Sequence, residues 1–272
     1  KPKTMKIKSI SNLNLKKSNS PLFPCIILFL FFVLGNAQPQ YSNDPLDTPR
    51  IIKIDSFNEL KVYSGIIVNL IPSDVNKAVI YGDRYGGLVL KQKRNTLKLR
   101  IRLSEMIHYN NTYIDLYYKD SLNGLILHQG ASVDSKRPIK TNKLLIKANE
   151  GAEFEGEIIA DQLFTKARTG ELLRLFGKVK NHRIRISTGG ICNVQDLITD
   201  HTAINVFAGG EAFVYSENLV NAKVSMGGNI KINGSPKQVI ARRSFAGQIY
   251  SGNQFYQGDR RNYKRRNYRI YN

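Results

Sequence analysis

Between residues 144 and 240, apolar residues recur at every second position on both sides of a regularly spaced glycine. The glycines are Gly151, Gly170, Gly189, Gly209 and Gly227, at steps of 19, 19, 20 and 18 residues. Gly130 fits as an earlier member, 21 residues before Gly151. Five positions before the glycine lie Ile146, Thr165, Ile184, Ile204 and Ala222, and three before it Ala148, Ala167, Ile186, Val206 and Val224. Three positions after it lie Phe154, Leu173, Cys192, Ala212 and Ile230. A period of two is strand periodicity, since successive side chains of a strand point to opposite faces. Each repeat therefore predicts a strand, a glycine bend, a second strand and a return. Glycine suits the bend because it accepts a positive φ without a Cβ clash.

One repeat of this size cannot bury its apolar face alone. Stacking rungs ~4.8 Å apart gives each one a covered face and a hydrogen-bonding neighbour. The pattern predicts an all-β fold, a short right-handed parallel β-helix (β-solenoid) with rungs of about 19–20 residues. A sandwich of hairpins is the competing architecture. Its two-residue turns favour Asn-Gly or Asp-Gly, whereas the glycines here follow Glu, Thr, Thr, Ala and Met.

Residues 51–143 are strand-rich but less regular. Residues 66–70, 78–81, 97–101 and 113–117 are strand candidates. This half is expected to form irregular first coils and to cover the open end of the solenoid. No long stretch of 3.6-residue periodicity appears after residue 37.

Charge changes the picture at the ends. The chain carries 41 Lys+Arg against 21 Asp+Glu, a formal +20, which invites a nucleic-acid reading. Residues 1–37 hold +6 and residues 241–272 hold +7, whereas residues 144–240 hold only +1. The first segment reads as an export signal over 1–37. Its lysines precede a 13-residue apolar run, Leu22–Leu34, and Gly35-Asn36-Ala37 supplies small residues for cleavage. That run is short for a membrane span, which needs about 20 residues. Residues 38–50, with three prolines, read as a flexible linker. Cleavage after Ala37 would leave Cys192 as the one cysteine, in a core column.

The segment Phe57-Asn-Glu-Leu-Lys-Val-Tyr-Ser-Gly-Ile-Ile-Val-Asn-Leu70 resembles the opening of the head GIN domain family, the auto-transporter adhesin-like proteins of Bacteroidetes. Tyr81-Gly82-Asp83, the serial glycine-containing strand pairs and Lys231-Ile-Asn-Gly-Ser-Pro236 are similar to its later segments. The resemblance covers about residues 51–250. Asn149-Glu150-Gly151-Ala152 and Arg168-Thr169-Gly170-Glu171 depart from the Ser-Gly-Ser-Gly expected there. The resemblance implies an exported β-helical protein without established catalytic residues.

Catalytic constellations are sparse. His108, His128, His182 and His201 stand apart, and only His182 and His201, one repeat apart, could approach each other over a metal. No metal site, catalytic residue or cofactor is expected. β-Helical glycan lyases and hydrolases need clustered carboxylates. Glu153, Glu155 and Glu157 share an outward strand face, but their columns do not repeat apart from Glu211. A glycan-active enzyme is the alternative reading, and a periplasmic structural or signalling component with a protein partner is another.

The most suggestive column lies four residues before each glycine: Lys147, Lys166, Arg185, Asn205 and Lys223. Like charges in line repel, so this ladder costs stability unless acids or an anionic partner compensate. It could bind an acidic glycan or another envelope polyanion, or be an ordinary solvated face neutralised by neighbouring glutamates. The tail, residues 251–272, interleaves Arg260, Arg261, Lys264, Arg265, Arg266 and Arg269 with Tyr263, Tyr268 and Tyr271. Such a segment can grip polyanions or lie on an anionic lipid surface. An exported address argues against nucleic acid. The expectation is an exported, non-enzymatic, adhesin-like binding protein, periplasmic or at the outer-membrane surface, with homo-oligomerisation left open.

Overall fold

The computed structural model describes residues 48–83, 86–108, 112–252 and 254–256. The expected export segment, most of the expected linker and the tail residues 257–272 lie outside the described residues. The first strands are β1 (Arg50–Lys53), β2 (Glu59–Val62), β3 (Ile67–Pro72), β4 (Lys77–Tyr81), β5 (Leu88–Lys93), β6 (Thr96–Ile101), β7 (Tyr113–Tyr118) and β8 (Gly124–Leu127). Four long strands follow: β9 (Ser132–Asn149), β10 (Glu153–Arg168), β11 (Leu172–Ser187) and β12 (Ile191–Phe207). The chain continues through β13 (Glu211–Tyr215), β14 (Leu219–Ser225), β15 (Asn229–Asn233), β16 (Gln238–Ser244), β17 (Gln248–Ser251) and β18 (Gln254–Phe255). Among the described residues, one 3-10 turn, Leu103–His108, interrupts them.

The predicted solenoid is the observed fold. β9, β10, β11 and β12 pair in parallel, residues facing their counterparts one repeat away apart from register shifts after Gly156 and Arg174. The apolar columns are the ones the sequence pattern defines: Phe154 faces Leu173, Leu173 faces Cys192, Cys192 faces Ala212 and Ala212 faces Ile230. All five are essentially inaccessible. The long strands carry two adjacent outward residues, as at Asp161-Gln162 and Lys180-Asn181, where the alternation slips by one and the rung bends.

Parallel stacking starts before the regular repeat. β2 pairs in parallel with β6 and β8, and β3 with β7 and β9. Antiparallel strands then close both walls: β5 on β6, and β4 on β7 with β1 on β4. These antiparallel strands cover the open edges at the N-terminal end. β18 folds back antiparallel on β17 at the other end.

The turns have a conformation familiar from two-residue hairpins. Two consecutive residues take positive φ, as in Ser64-Gly65, Gln129-Gly130, Glu150-Gly151, Thr169-Gly170, Thr188-Gly189, Ala208-Gly209, Met226-Gly227 and Phe245-Ala246. That is the type I′ pattern. The first residue need not be Asn or Asp, because the turn is held from outside. Backbone bonds run turn to turn, such as Gly130 N to the Glu150 carbonyl (2.9 Å) and Ala208 N to the Ser225 carbonyl (3.1 Å). Repetition thus offsets the roughly 1–2 kcal/mol cost of a left-handed non-glycine residue.

The next position points inward and is small in most rungs, with Ile66 and Glu171 the larger residues there. Ala131, Ala152, Gly190, Gly210, Gly228 and Gly247 occupy it elsewhere. A Cβ at Gly210 would sit 2.5 Å from Ile186 Cγ2, whereas one at Gly209 would meet open space at φ +81°. Gly210→Ala is expected to cost about 2–3 kcal/mol through overpacking. Gly209→Ala is expected to cost about 1 kcal/mol through backbone strain alone. Denaturant titration checks the order; equal costs would contradict the packing account.

Candidate functional site: a basic wall and an acidic wall

The rung bends give the solenoid two long walls flanking the glycine turns. One contains β5, β6, β2 and β8, then the later halves of β9 to β12, then β14 and β16. The other contains β1, β4, β7 and β3, the earlier halves of β9 to β12, then β13, β15 and β17.

The predicted ladder lies in register on the first wall. Lys147 faces Lys166, Lys166 faces Arg185, Arg185 faces Asn205 and Asn205 faces Lys223. The structure extends it in both directions. Lys223 faces Arg242, Lys147 faces Ile126, Ile126 faces Lys61, Lys61 faces Lys98 and Lys98 faces Lys91. Lys61, Lys91 and Lys98 come from the irregular half, so no repeat spacing marks them. Their signal is the strand alternation alone, which gives orientation but not partners. Arg242 stands three residues before Phe245, where Ala246 replaces the marker glycine.

Flanking outward columns add Lys93 and Arg183 on one side and Arg100 and Arg168 on the other. The carboxylate among them is Glu59, which pairs with Lys61 at 2.8 Å. That ion pair, acting chiefly through its hydrogen bond, pushes the Lys61 ammonium up. Among the described residues, no other ladder member has an ion-pair partner. Apart from Glu59, the outward glutamates of the strands are not on the ladder's wall.

They are on the other one. Over the repeats Glu153, Glu155, Glu157 and Glu211 point outward there, against Arg174, Lys178 and Lys231, while the N-terminal strands of that wall carry Lys53, Lys77 and Lys136 beside Asp115 and Asp134. Arg174 is held by Glu155 at 3.2 Å. Near-neutrality of the repeat region therefore conceals charge sorted by wall.

An open depression on the basic wall is bordered by Lys61, Tyr63, His128, Lys147, Lys166 and Arg185. The Tyr63 and His128 rings stack with centroids 4.8 Å apart, and Lys98 Nζ lies 4.4 Å from the Tyr63 centroid. Burial pushes His128 down, with the Glu150 charge opposing it and Lys98, Lys147 and Lys61 reinforcing it. The depression holds no carboxylate. Another open region, at the rung bend, includes Asp161 with Lys140, Lys143, Lys178 and Lys180. Such a site lacks the paired carboxylates of a general acid–base couple.

The remaining candidates fall apart sterically. His182 is buried, with Nε2 2.8 Å from Thr165 Oγ1. His201 is exposed and faces Asn181, so the two histidines lie on opposite sides of the wall. Cys192 is fully buried, and burial pushes its thiol up to about 12, so it is an inert hydrophobe. Among the described residues no three His, Cys, Asp or Glu side chains are placed to hold a metal ion.

The fold and its walls define a β-solenoid that presents an extended basic surface. Residues 56–236 match the family described as putative auto-transporter adhesin, head GIN domain, and the chain belongs to that family. No curated protein sequence matches it. Among solved structures, a putative adhesin from Bacteroides fragilis is similar, with a TM-score of 0.66 and 19% identity, over 75% of this chain and 96% of that one. A putative lipid binding protein from Parabacteroides distasonis gives a TM-score of 0.59 at 20% identity, over 76% and 96%. A putative adhesin from Parabacteroides merdae gives 0.55 at 14% identity, over 76% and 96%.

Proposed function

We propose that this protein is an exported, non-catalytic binding protein of the cell envelope that holds acidic glycans along its basic wall. The observation that carries this reading is the largely uncompensated ladder from Lys91 to Arg242, eight bases in a column of ten. Aligned like charges without partners cost folding energy, so their concentration on one wall favours a ligand that supplies the missing anions. Rungs about 4.8 Å apart offer a linear polymer a cation at all but two steps, Ile126 and Asn205, at a spacing comparable to a sugar unit. The adhesin names of the family and of two structural neighbours agree with a surface task.

Immobilised polygalacturonate tests the proposal. The protein is expected to be retained and to elute with rising salt, because exposed charge contacts are screened. Lys166→Glu with Arg185→Glu is expected to weaken retention about tenfold or more, since like-charge juxtaposition is strongly unfavourable. Unchanged retention would sink the reading, and release of shortened oligosaccharides would convert it to an enzyme.

A further inference from the structure

At the C-terminal end of the turn edge, the exposed residues change character. The first turn residue is Ser64, Gln129, Glu150, Thr169 and Thr188 along most of the edge, then Ala208, Met226 and Phe245. Phe207, immediately before Ala208, joins them. Phe207 is 48% exposed, Met226 53% and Phe245 80%. These residues sit on successive rungs joined by backbone bonds, Ala208 N to the Ser225 carbonyl and Gly227 N to the Phe245 carbonyl (2.9 Å). They form one apolar tip.

Nothing in the fold calls for it. Met226 and Phe245 take a positive φ, which penalises bulky side chains and favours Gly or Asn, and all three side chains lie outside the core. The tip therefore carries both a conformational and a solvation cost. Its surroundings are basic: Lys223 precedes Met226 by three residues, and the exposed Arg242 precedes Phe245 by three, whereas Arg243 faces the inward Val224 column. Arg243 lies over the Phe255 ring at 4.8 Å. From Tyr256, in this same end of the fold, the chain continues into the Arg/Tyr-rich residues 257–272.

Apolar side chains projecting from a rim of Lys and Arg match the headgroup boundary of an anionic bilayer. The apolar groups enter the acyl boundary and the cations meet lipid phosphates. We propose that the Phe207–Met226–Phe245 tip is a membrane-docking edge that seats the C-terminal end of the solenoid on an anionic lipid surface. This surface shares Lys223 and Arg242 with the end of the ladder but not its Lys147–Arg185 stretch, so variants in that stretch separate the two proposals.

The chain contains no tryptophan, which makes Phe245→Trp a single reporter. Its emission is expected to shift to the blue with phosphatidylglycerol-containing vesicles and to be quenched by brominated acyl chains. It is expected to stay unshifted with pure phosphatidylcholine vesicles. Met226→Ser with Phe245→Ser is expected to lower vesicle affinity at least about tenfold, with an unchanged melting temperature because both sites are exposed. Val75→Trp, at an exposed site in the N-terminal half, is expected to show no shift. Adding Lys166→Glu and Arg185→Glu to the Phe245→Trp protein is expected to preserve the blue shift even where glycan retention is lost.

Absence of a shift overturns the proposal. So does full vesicle binding by the double-serine protein, which would mean adsorption through the wall alone. A blue shift without vesicles that disappears on removing residues 257–272 would overturn it too, assigning the tip to the chain's own tail instead.

Discussion

His182→Leu is expected to make the protein markedly more resistant to acid. His182 lies in a core column with Leu144 and Leu163, faces Thr202 on the next rung, and its Nδ1 is buried without a partner. Burial pushes its pKa down to about 3. The unfolded chain binds a proton near pH 6.5 that the folded chain refuses until about pH 3. Stability from this group is therefore complete above about pH 6.5 and falls as pH drops towards 3, by about 1.4 kcal/mol per pH unit. From about pH 7 to about pH 4.5 the loss from this group is roughly 2.5–3 kcal/mol. The leucine variant lacks that loss. It also leaves Thr165 without its partner, which lowers stability by about 1 kcal/mol at every pH. Urea titrations at several pH values should therefore show the variant gaining on the native protein as pH falls; parallel curves would refute the assignment.

Glu171→Ala is expected to stabilise the protein, with the opposite pH dependence. Glu171 occupies the small inward column after the turn, where its neighbours are Ala152 and Gly190. It is 1% exposed, and neither carboxylate oxygen has a hydrogen-bond partner. Burial pushes its carboxyl up, while the backbone amides of Glu171, Arg168 and Glu150 and the Arg168 charge pull the other way without closing good hydrogen bonds. An acid raised on folding penalises the fold once pH exceeds its unfolded value. Alanine is therefore expected to add roughly 2–3 kcal/mol at neutral pH. The gain should shrink below about pH 4.5, where the carboxyl is neutral in both states. A destabilised alanine variant at neutral pH would show that Glu171 is paired after all. Taken together, the two variants should broaden the pH range of the fold from both sides.

These groups also show where sequence reading reaches its limit. The columns around the glycines are legible because strand alternation is a local rule and the glycine fixes its phase. In the sequence His182 stands one repeat from His201 and could share its surface. The rung bend at Lys180-Asn181 shifts the alternation by one and turns His182 inward. Glu171 follows the turn glycine in a position where the other repeats place Ala or Gly, a departure visible in the sequence. Its burial is not visible there, because the inward direction after a turn depends on how the turn is hydrogen-bonded to the next one. The ladder residues Lys147, Lys166, Arg185 and Lys223 are legible for the same reason as the core columns.

The sequence alone determined a stacked β-solenoid, its register between Leu144 and Val224, and a basic column on the outside, since period-two alternation and a repeated glycine leave few other arrangements. Only the tertiary structure decided how far that column runs and what faces it. Lys61, Lys91 and Lys98 join the ladder through pairing between strands far apart in the chain. Glu153, Glu155, Glu157 and Glu211 sit on the other wall, and the remaining acids of the repeats lie mostly in turns, bends and the core. A net charge is a sum along the chain, whereas binding responds to charge per face, and the stacking of rungs converts one into the other.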